Sequence, residues 1–203
     1  MSGSILIVSG PSGAGKSTII QRAEPMIGDF HFSISTTTRA PRDGERDGVD
    51  YYFTDTETFE EDIRSGYFLE YALVHGNYYG TSMKPVERAL AEGKLVIFDI
   101  DVQGHALARE KMGDMITSVF VTPPNPEELR RRLEGRSTES TESISRRLAN
   151  AATEVERVGE YDFLIVNDDI ESAVESFVAV ARAARLKING TKAETFIKDW
   201  LSA

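Results

Sequence analysis

Short apolar runs alternate with stretches of helical period along this chain. Ile5–Val8, Leu95–Phe98, Ile116–Val121 and Phe163–Val166 are apolar at consecutive positions and rich in β-branched residues. A strand with one wet face would alternate polar and apolar side chains. These runs do not, so they predict strands covered on both faces, as in a parallel sheet. His31–Ser35 is a fainter strand candidate. Between the runs, Ile170, Ala173, Val174, Phe177 and Ala181 recur at helical spacing, which predicts a helix with one face on the sheet. Asn125-Pro126-Glu127-Glu128 supplies an N-cap, a first-turn proline and two acids at the positive end of a helix dipole. Arg130–Arg132 follow toward the other end. Lys16–Met26 reads as a further helix with Pro25 near its end, and Thr141–Val158 as a long one. Strands alternating with helices predict an α/β fold with a mainly parallel sheet.

Two segments break this alternation. Residues 36–90 hold Val49–Phe53, Phe68–Val74 and the turn-like His75-Gly-Asn-Tyr-Tyr-Gly80. Short Tyr- and Phe-bearing strands between Gly/Asn turns suggest an antiparallel insert. Residues 127–150 are charged and polar, with Gly135–Ser140 between helices, and read as a mobile surface arm. The piece after Leu186, around Phe196, Ile197 and Trp200, reads as a helix docked on the body.

The strand Ser4–Ser9 runs straight into Gly10-Pro-Ser-Gly-Ala-Gly-Lys16-Ser17, and Thr18-Ile19-Ile20 opens a helix. This is G-x-x-x-x-G-K-[ST] in its strand–loop–helix setting. Glycines let backbone N–H groups turn inward around a phosphate, and the helix start adds its positive dipole end. Gly10, Pro11, Ser12, Gly13, Ala14, Gly15, Lys16, Ser17 and Thr18 are therefore candidate nucleotide-phosphate residues, in a loop that kinases, GTPases and ATPases share. Lys16 would reach the β- and γ-phosphates, and the Ser17 hydroxyl would ligate Mg²⁺.

Charge narrows the partners. With 23 basic and 33 acidic residues the net charge is −10, a poor balance for non-specific nucleic-acid binding. Anionic ligands must then be held by local clusters, and the arginines are clustered at 39 and 42, at 130–132 and 136, and at 146 and 147. There is no cysteine, so no disulfide or thiolate metal site exists. No run of 18 apolar residues predicts a membrane span, and the start lacks the features of a signal peptide, so a cytoplasmic location is expected.

Other constellations add chemistry. Leu95-Val-Ile-Phe-Asp99 ends a strand in a carboxylate, a Walker-B-like place for Mg²⁺. Asp101-Val-Gln-Gly104 also fits the D-x-x-G of small GTPases, but the guanine motif N-K-x-D is absent. Ser35-Thr-Thr-Thr-Arg39-Ala-Pro41-Arg42-Asp-Gly-Glu45 places hydroxyls before two arginines stiffened by a proline, a clamp for a second phosphate. A carboxylate such as Glu70, among aromatic and hydroxyl groups, can accept from the N–H edge of guanine, which adenine lacks. On spacing alone Glu70 fits a solvated strand residue equally well.

In order and spacing, Gly10–Ser17, Ser35–Arg42, Asp50–Phe53, Phe68–Glu70, Gly76–Thr81, Asp99–Gly104 and Arg132–Arg136 through Ile144–Leu148 resemble the guanylate kinases. The resemblance covers about Ser4 to Ala184. It implies a three-layer P-loop NTPase core with a parallel sheet, a mixed GMP-binding insert and a helical lid. The core would be 1–35, 82–126 and 151–203, the insert 36–81 and the lid 127–150. It implies ATP-dependent phosphorylation of GMP, with dGMP as a further substrate and Mg²⁺ accompanying ATP. Arg39, Arg42, Tyr51 and Tyr79 would hold the GMP phosphate. Ser35, Glu70 and Thr81 would read the base, with Asp99 and Asp101 at the same site. Lys16, Arg39 and the lid arginines Arg132, Arg136 and Arg147 would be catalytic, and Asn167 would lie beside adenine. Ser137 departs from the glycine that often follows the lid arginine. Expected partners are ATP and GMP, without nucleic acid or membrane, and a homodimer is left open. Two rival readings are a guanylate-kinase-like protein-binding module and a related ribose-phosphate kinase. The intact Lys16–Ser17 pair speaks against the first, and Ser35, Glu70 and Thr81 together speak against the second.

Overall fold

The computed structural model describes residues 3–74, 76–135 and 141–202. In chain order the strands and helices are β1 (Ser4–Ser9), α1 (Lys16–Ile27), β2 (Phe30–Ser33), β3 (Thr36–Thr37), β4 (Tyr52–Phe53), α2 (Thr56–Arg64), β5 (Phe68–Val74), β6 (Asn77–Ser82), α3 (Met83–Ala91), β7 (Leu95–Asp99), α4 (Val102–Met112), β8 (Ile116–Thr122), α5 (Pro126–Glu134), α6 (Thr141–Val155), β9 (Phe163–Val166), α7 (Ile170–Leu186) and α8 (Gly190–Leu201).

Five strands form one parallel sheet in the order β2-β7-β1-β8-β9. Side chains alternate across each strand, so β1 serves two cores at once. Leu6 and Val8 pack with Ile97, Val121 and the apolar faces of α1 and α7. Ile5 and Ile7 pack on the other face with Val96 and Phe98 of β7, Val86 and Leu90 of α3, and Ala108 of α4. Helices on both faces explain why these strands carry no polar alternation.

Four strands form a second sheet in the order β4-β3-β6-β5. Its β3–β6 and β5–β6 pairs are antiparallel and its β3–β4 pair is parallel, so it is mixed rather than purely antiparallel. Phe59 of α2 fills its centre, stacked on Phe68 at 4.1 Å and on Tyr78 at 5.1 Å between ring centroids. Asn77–Gly80 are strand rather than turn, because Tyr78 and Tyr79 pair with Leu73 and Ala72. His75 lies outside the described residues.

Helices α5 and α6 pack on each other through Leu129, Leu133, Ile144 and Ala151. At about 1.5–3 kcal/mol for each large side chain fully buried, this small cluster anchors them far less than the sheet anchors α1 or α7. α6 ends at Val155, three residues short of the sequence expectation. The tail does form a helix, but its apolar face is not docked. Phe196, Ile197 and Trp200 are 66%, 54% and 70% exposed. What holds α8 is the ammonium of Lys192, which donates to Ser4 Oγ at 2.9 Å and to the carbonyl of Arg185 at 3.1 Å. No described helix is long and apolar enough to cross a membrane.

Candidate active site

Ligand crevices of open parallel sheets lie at the carboxyl ends of the strands, where the order reverses. Here β1 has β7 on one side and β8 on the other, and the loop Gly10–Gly15 leaves β1 at that point. Three glycines make the loop possible. Gly10, Gly13 and Gly15 have φ of 139°, 94° and 94°, which side-chain-bearing residues rarely adopt. A Cβ on Gly10 would also fall 1.9 Å from the carbonyl oxygen of Val121. α1 then starts with neither a side-chain cap nor an acid in its first turn, so its N–H groups and dipole are left for an anion.

The register β1–β7 pairs Val8 with Asp99, so the strand-end carboxylate lies beside the loop. Lys16 folds back over the loop. Its Nζ donates to the carbonyl of Gly10 at 2.7 Å and stands 3.7 Å from Asp99 Oδ1. Burial raises the Asp99 carboxyl above its usual range, and Lys16 opposes that shift. Ser17, Gln21, Ser35, Asp50, Tyr51 and Asp99 line one open cleft of about 650 Å³ between α1 and the small sheet. A hydroxyl and a carboxylate are hard oxygen donors suited to Mg²⁺, which is commonly bound by few protein groups together with substrate phosphates. No cluster of three His, Cys, Asp or Glu that could hold a metal by itself occurs among the described residues.

Tyr51 joins this cleft to the arginine clamp. Arg39 Nε donates to the Tyr79 hydroxyl at 3.2 Å, and its guanidinium lies 5.4 Å from the centre of the Tyr51 ring. Arg39 also grips Glu45, which the sequence reading did not assign. Nη2 meets both carboxylate oxygens at 2.9 Å, and the backbone N–H of Arg42 donates to the same carboxylate at 2.8 Å. Arg39 first, then the Arg42 N–H, holds Glu45 below the ordinary carboxylate range. The spacing Arg39–Glu45 around Pro41 and Gly44 was the available signal. Glu70 sits across the small sheet, where the Thr81 hydroxyl donates to it at 2.7 Å. Asp101 is spent locally as the cap of α4, accepting from the N–H groups of Gln103 and Gly104 at 3.0 and 2.8 Å.

Two arginines reach the loop from above. Arg147 of α6 donates to Ser12 Oγ at 2.6 Å. Arg132 of α5 donates to the Asn167 carbonyl at 2.8 Å, while Glu128 holds its Nε at 2.6 Å. Arg131, then Arg132, draw the Glu128 carboxyl down to about 2. The amide of Asn167 is turned onto the loop itself, donating to the Ala14 carbonyl at 2.8 Å from a site 3% exposed. It braces the loop there. Arg136 and Ser137 lie outside the described residues. Glu154 of α6 was also missed. It is half-buried, Lys16 and Asp101 both act on it electrostatically, and burial raises its carboxyl.

A further polar group is buried in the core. His105 of α4, 1% exposed, stacks on Tyr161 at 4.0 Å, and Tyr161 also meets Phe120 of β8 edge-on at 5.2 Å. Burial first, then Arg109, lowers the imidazole to about 4, with Glu160 and Asp162 opposing and Arg157 assisting. The folded value lies below the unfolded one, so the unfolded chain takes the proton first. Stability is therefore lost as pH falls from about 6.5 toward 4, by up to about 3 kcal/mol. His105→Phe keeps the stack but cannot titrate. Urea unfolding between pH 7 and 4.5 should show a shallower acid loss in that variant. Equal slopes would show that His105 is not the responsible group.

A phosphate loop at the switch point of a parallel sheet, with a strand-end carboxylate and arginines approaching from separate helices, defines a P-loop phosphotransferase. The family model described as guanylate kinase matches residues 2–184. The chain is 54% identical over 198 residues to a guanylate kinase of Sulfurimonas denitrificans, covering 98% of this chain and 96% of that one. It is 47% identical over 200 residues to one of Wolinella succinogenes, covering 98% and 93%. A crystal structure of guanylate kinase from Anaplasma phagocytophilum superposes with a TM-score of 0.67 at 34% identity, covering 94% of this chain and 89% of that one. The chain belongs to the guanylate kinase family.

Proposed function

We propose that this enzyme transfers the γ-phosphoryl group of ATP to GMP, giving ADP and GDP. The observation that carries the reading is the cleft that joins the phosphate loop to the Ser35–Tyr51 edge of the small sheet. A phosphate donor and a phosphate acceptor can meet there. A phosphate oxygen of GMP attacks the γ-phosphorus, and the bond from that phosphorus to the β,γ-bridging oxygen breaks toward ADP. The attacking oxygen is already ionised, so no general base is required. Catalysis then consists of alignment and charge neutralisation.

Lys16 is the cation closest to the transferred group, and the loop N–H groups hold the β-phosphate side. Arg39, Arg42, Tyr51 and Tyr79 would hold the acceptor phosphate, and Ser35, Glu70 and Thr81 its base. Ser17 and Asp99 would hold Mg²⁺, which when bound neutralises phosphate charge. Residues 127–150 act as a lid that carries Arg132 and Arg147 onto the phosphates and excludes water, which would otherwise hydrolyse ATP. The test is a coupled assay with ATP and, in turn, GMP, dGMP, AMP, UMP and ribose phosphates. GMP should give the highest catalytic efficiency, with dGMP as the next substrate. A ribose phosphate turning over faster than GMP would overturn the reading.

The lid gives a separate prediction. The Arg147–Ser12 contact places the guanidinium over the loop, and charge on the phosphoryl group is greatest to that cation at the transition state. Arg147→Ala should lower kcat by roughly 10–10²-fold while the KM for ATP changes less than threefold. An equal loss in ATP affinity would make Arg147 a ground-state clamp.

A further inference from the structure

The strands β5 and β6 do not pair evenly. Phe68 faces Ser82 and Tyr71 faces Gly80, so three steps along β5 match two along β6. One residue of β5 is therefore extra, and Leu69 and Glu70 occupy a bulge. Bulges re-aim side chains, and this one separates its two residues sharply. Leu69 is buried in the main core with Val86 and Leu90, while Glu70 meets Thr81. Gly80 opposite is required by the close approach: a Cβ there would lie 2.8 Å from the carbonyl oxygen of Glu70 and 2.9 Å from Tyr71 Cβ.

A bulge leaves ladder carbonyls in need of partners. Those of Phe68 and Leu69 both accept from Lys111 Nζ, at 2.8 Å each. Lys111 belongs to α4, a helix of the parallel-sheet core rather than of the small sheet. A charged donor from one unit thus clamps the irregular strand of the other, immediately before Glu70. A slip of one residue in β5 would exchange the faces of Leu69 and Glu70. The clamp and the burial of Leu69 together oppose it.

We propose that Lys111 is a positioning residue for base selection: by holding the Phe68 and Leu69 carbonyls it aims the Glu70 carboxylate at the N–H edge of the base. This rests on the reading of Glu70 as the group that recognises guanine. Lys111 touches neither nucleotide in this scheme, so its loss acts through Glu70 alone.

The experiment measures kcat and KM for GMP and AMP in the wild type, Lys111→Met, Lys111→Arg, Glu70→Gln and the double variant Lys111→Met/Glu70→Gln, with urea midpoints. Lys111→Met should lower the GMP-over-AMP efficiency ratio roughly tenfold or more, the loss expected for a charge-assisted hydrogen-bond pair. The loss should appear in the KM for GMP, with kcat and the KM for ATP within about twofold of wild type. Lys111→Arg, which keeps a charged donor, should retain most of the ratio. In the Glu70→Gln background, Lys111→Met should change the ratio no further, because the two residues act as one unit. An unchanged ratio in folded Lys111→Met, or the same loss in both backgrounds, overturns the proposal. If Lys111→Met does not fold, Lys111→Gln is measured in its place, and a Lys111→Gln ratio equal to that of Lys111→Arg overturns the proposal. A wild type that does not prefer GMP over AMP overturns the reading of Glu70 itself, and is recognised without any variant.

Discussion

Lys16→Met should lower turnover by roughly 10²–10³-fold, the loss typical when one preorganised donor to a developing oxyanion is removed. The structure explains both halves of the expectation. The ammonium is held at the loop by the Gly10 carbonyl at 2.7 Å and lies 3.7 Å from Asp99, so it is in place before nucleotide arrives. Methionine keeps most of the stem and its packing but supplies no charge. Without the cation, the Asp99 carboxyl loses the one influence that opposes its burial and shifts further upward. GMP affinity should change by less than threefold, because the acceptor is held by the small sheet. The measurement is kcat with ATP and GMP at saturation, beside a direct GMP titration. A variant turning over at the wild-type rate would show that the loop lysine is not catalytic.

GMP should exceed AMP by roughly 10³-fold or more in catalytic efficiency, and Glu70→Gln should remove most of that advantage. A site built to pair with ligand N–H groups rejects a ligand lacking them, because its own polar groups would be left unpaired; well-built polar sites reach about 10⁴–10⁵. The carboxylate of Glu70 accepts from Thr81 at 2.7 Å, which fixes one oxygen and leaves acceptor capacity on the other. Glutamine has the same shape, but its amide turns a donor toward the N–H groups of guanine. ATP binding should be unaffected, since Glu70 belongs to the small sheet and the loop to the parallel one. The decisive measurement is the GMP-over-AMP ratio in both forms. An unchanged ratio would return Glu70 to the role of a solvated strand residue.

The parallel core was legible because its signals are local and redundant. Ile5–Val8 is apolar on both faces, and the loop follows without a gap. The small sheet was legible only in outline. Tyr- and Phe-rich runs marked it, yet the β3–β4 pair proved parallel and Asn77–Gly80 proved to be strand. Glycine and asparagine at turns and glycine beneath a bulge look the same in sequence. Gly80 is there for close approach, which depends on a partner strand rather than on its own φ. The α8 stripe at Phe196, Ile197 and Trp200 showed a helix correctly, but amphipathic spacing carries no information about whether a partner surface is near.

By itself the sequence determined the phosphate loop, the strand before it, the helix after it and the residue types needed to hold two phosphates. Each of those depends on neighbours within a few positions, where backbone sterics and dipoles act. The tertiary structure alone decided which distant groups meet. It set Asp99 beside Lys16 through the β1–β7 register, turned Asn167 onto the Ala14 carbonyl, and brought Lys111 to the bulge that bears Glu70. Those contacts join residues from 43 to 153 positions apart. They exist because strand order and helix crossing bring the groups together, and no local spacing encodes either.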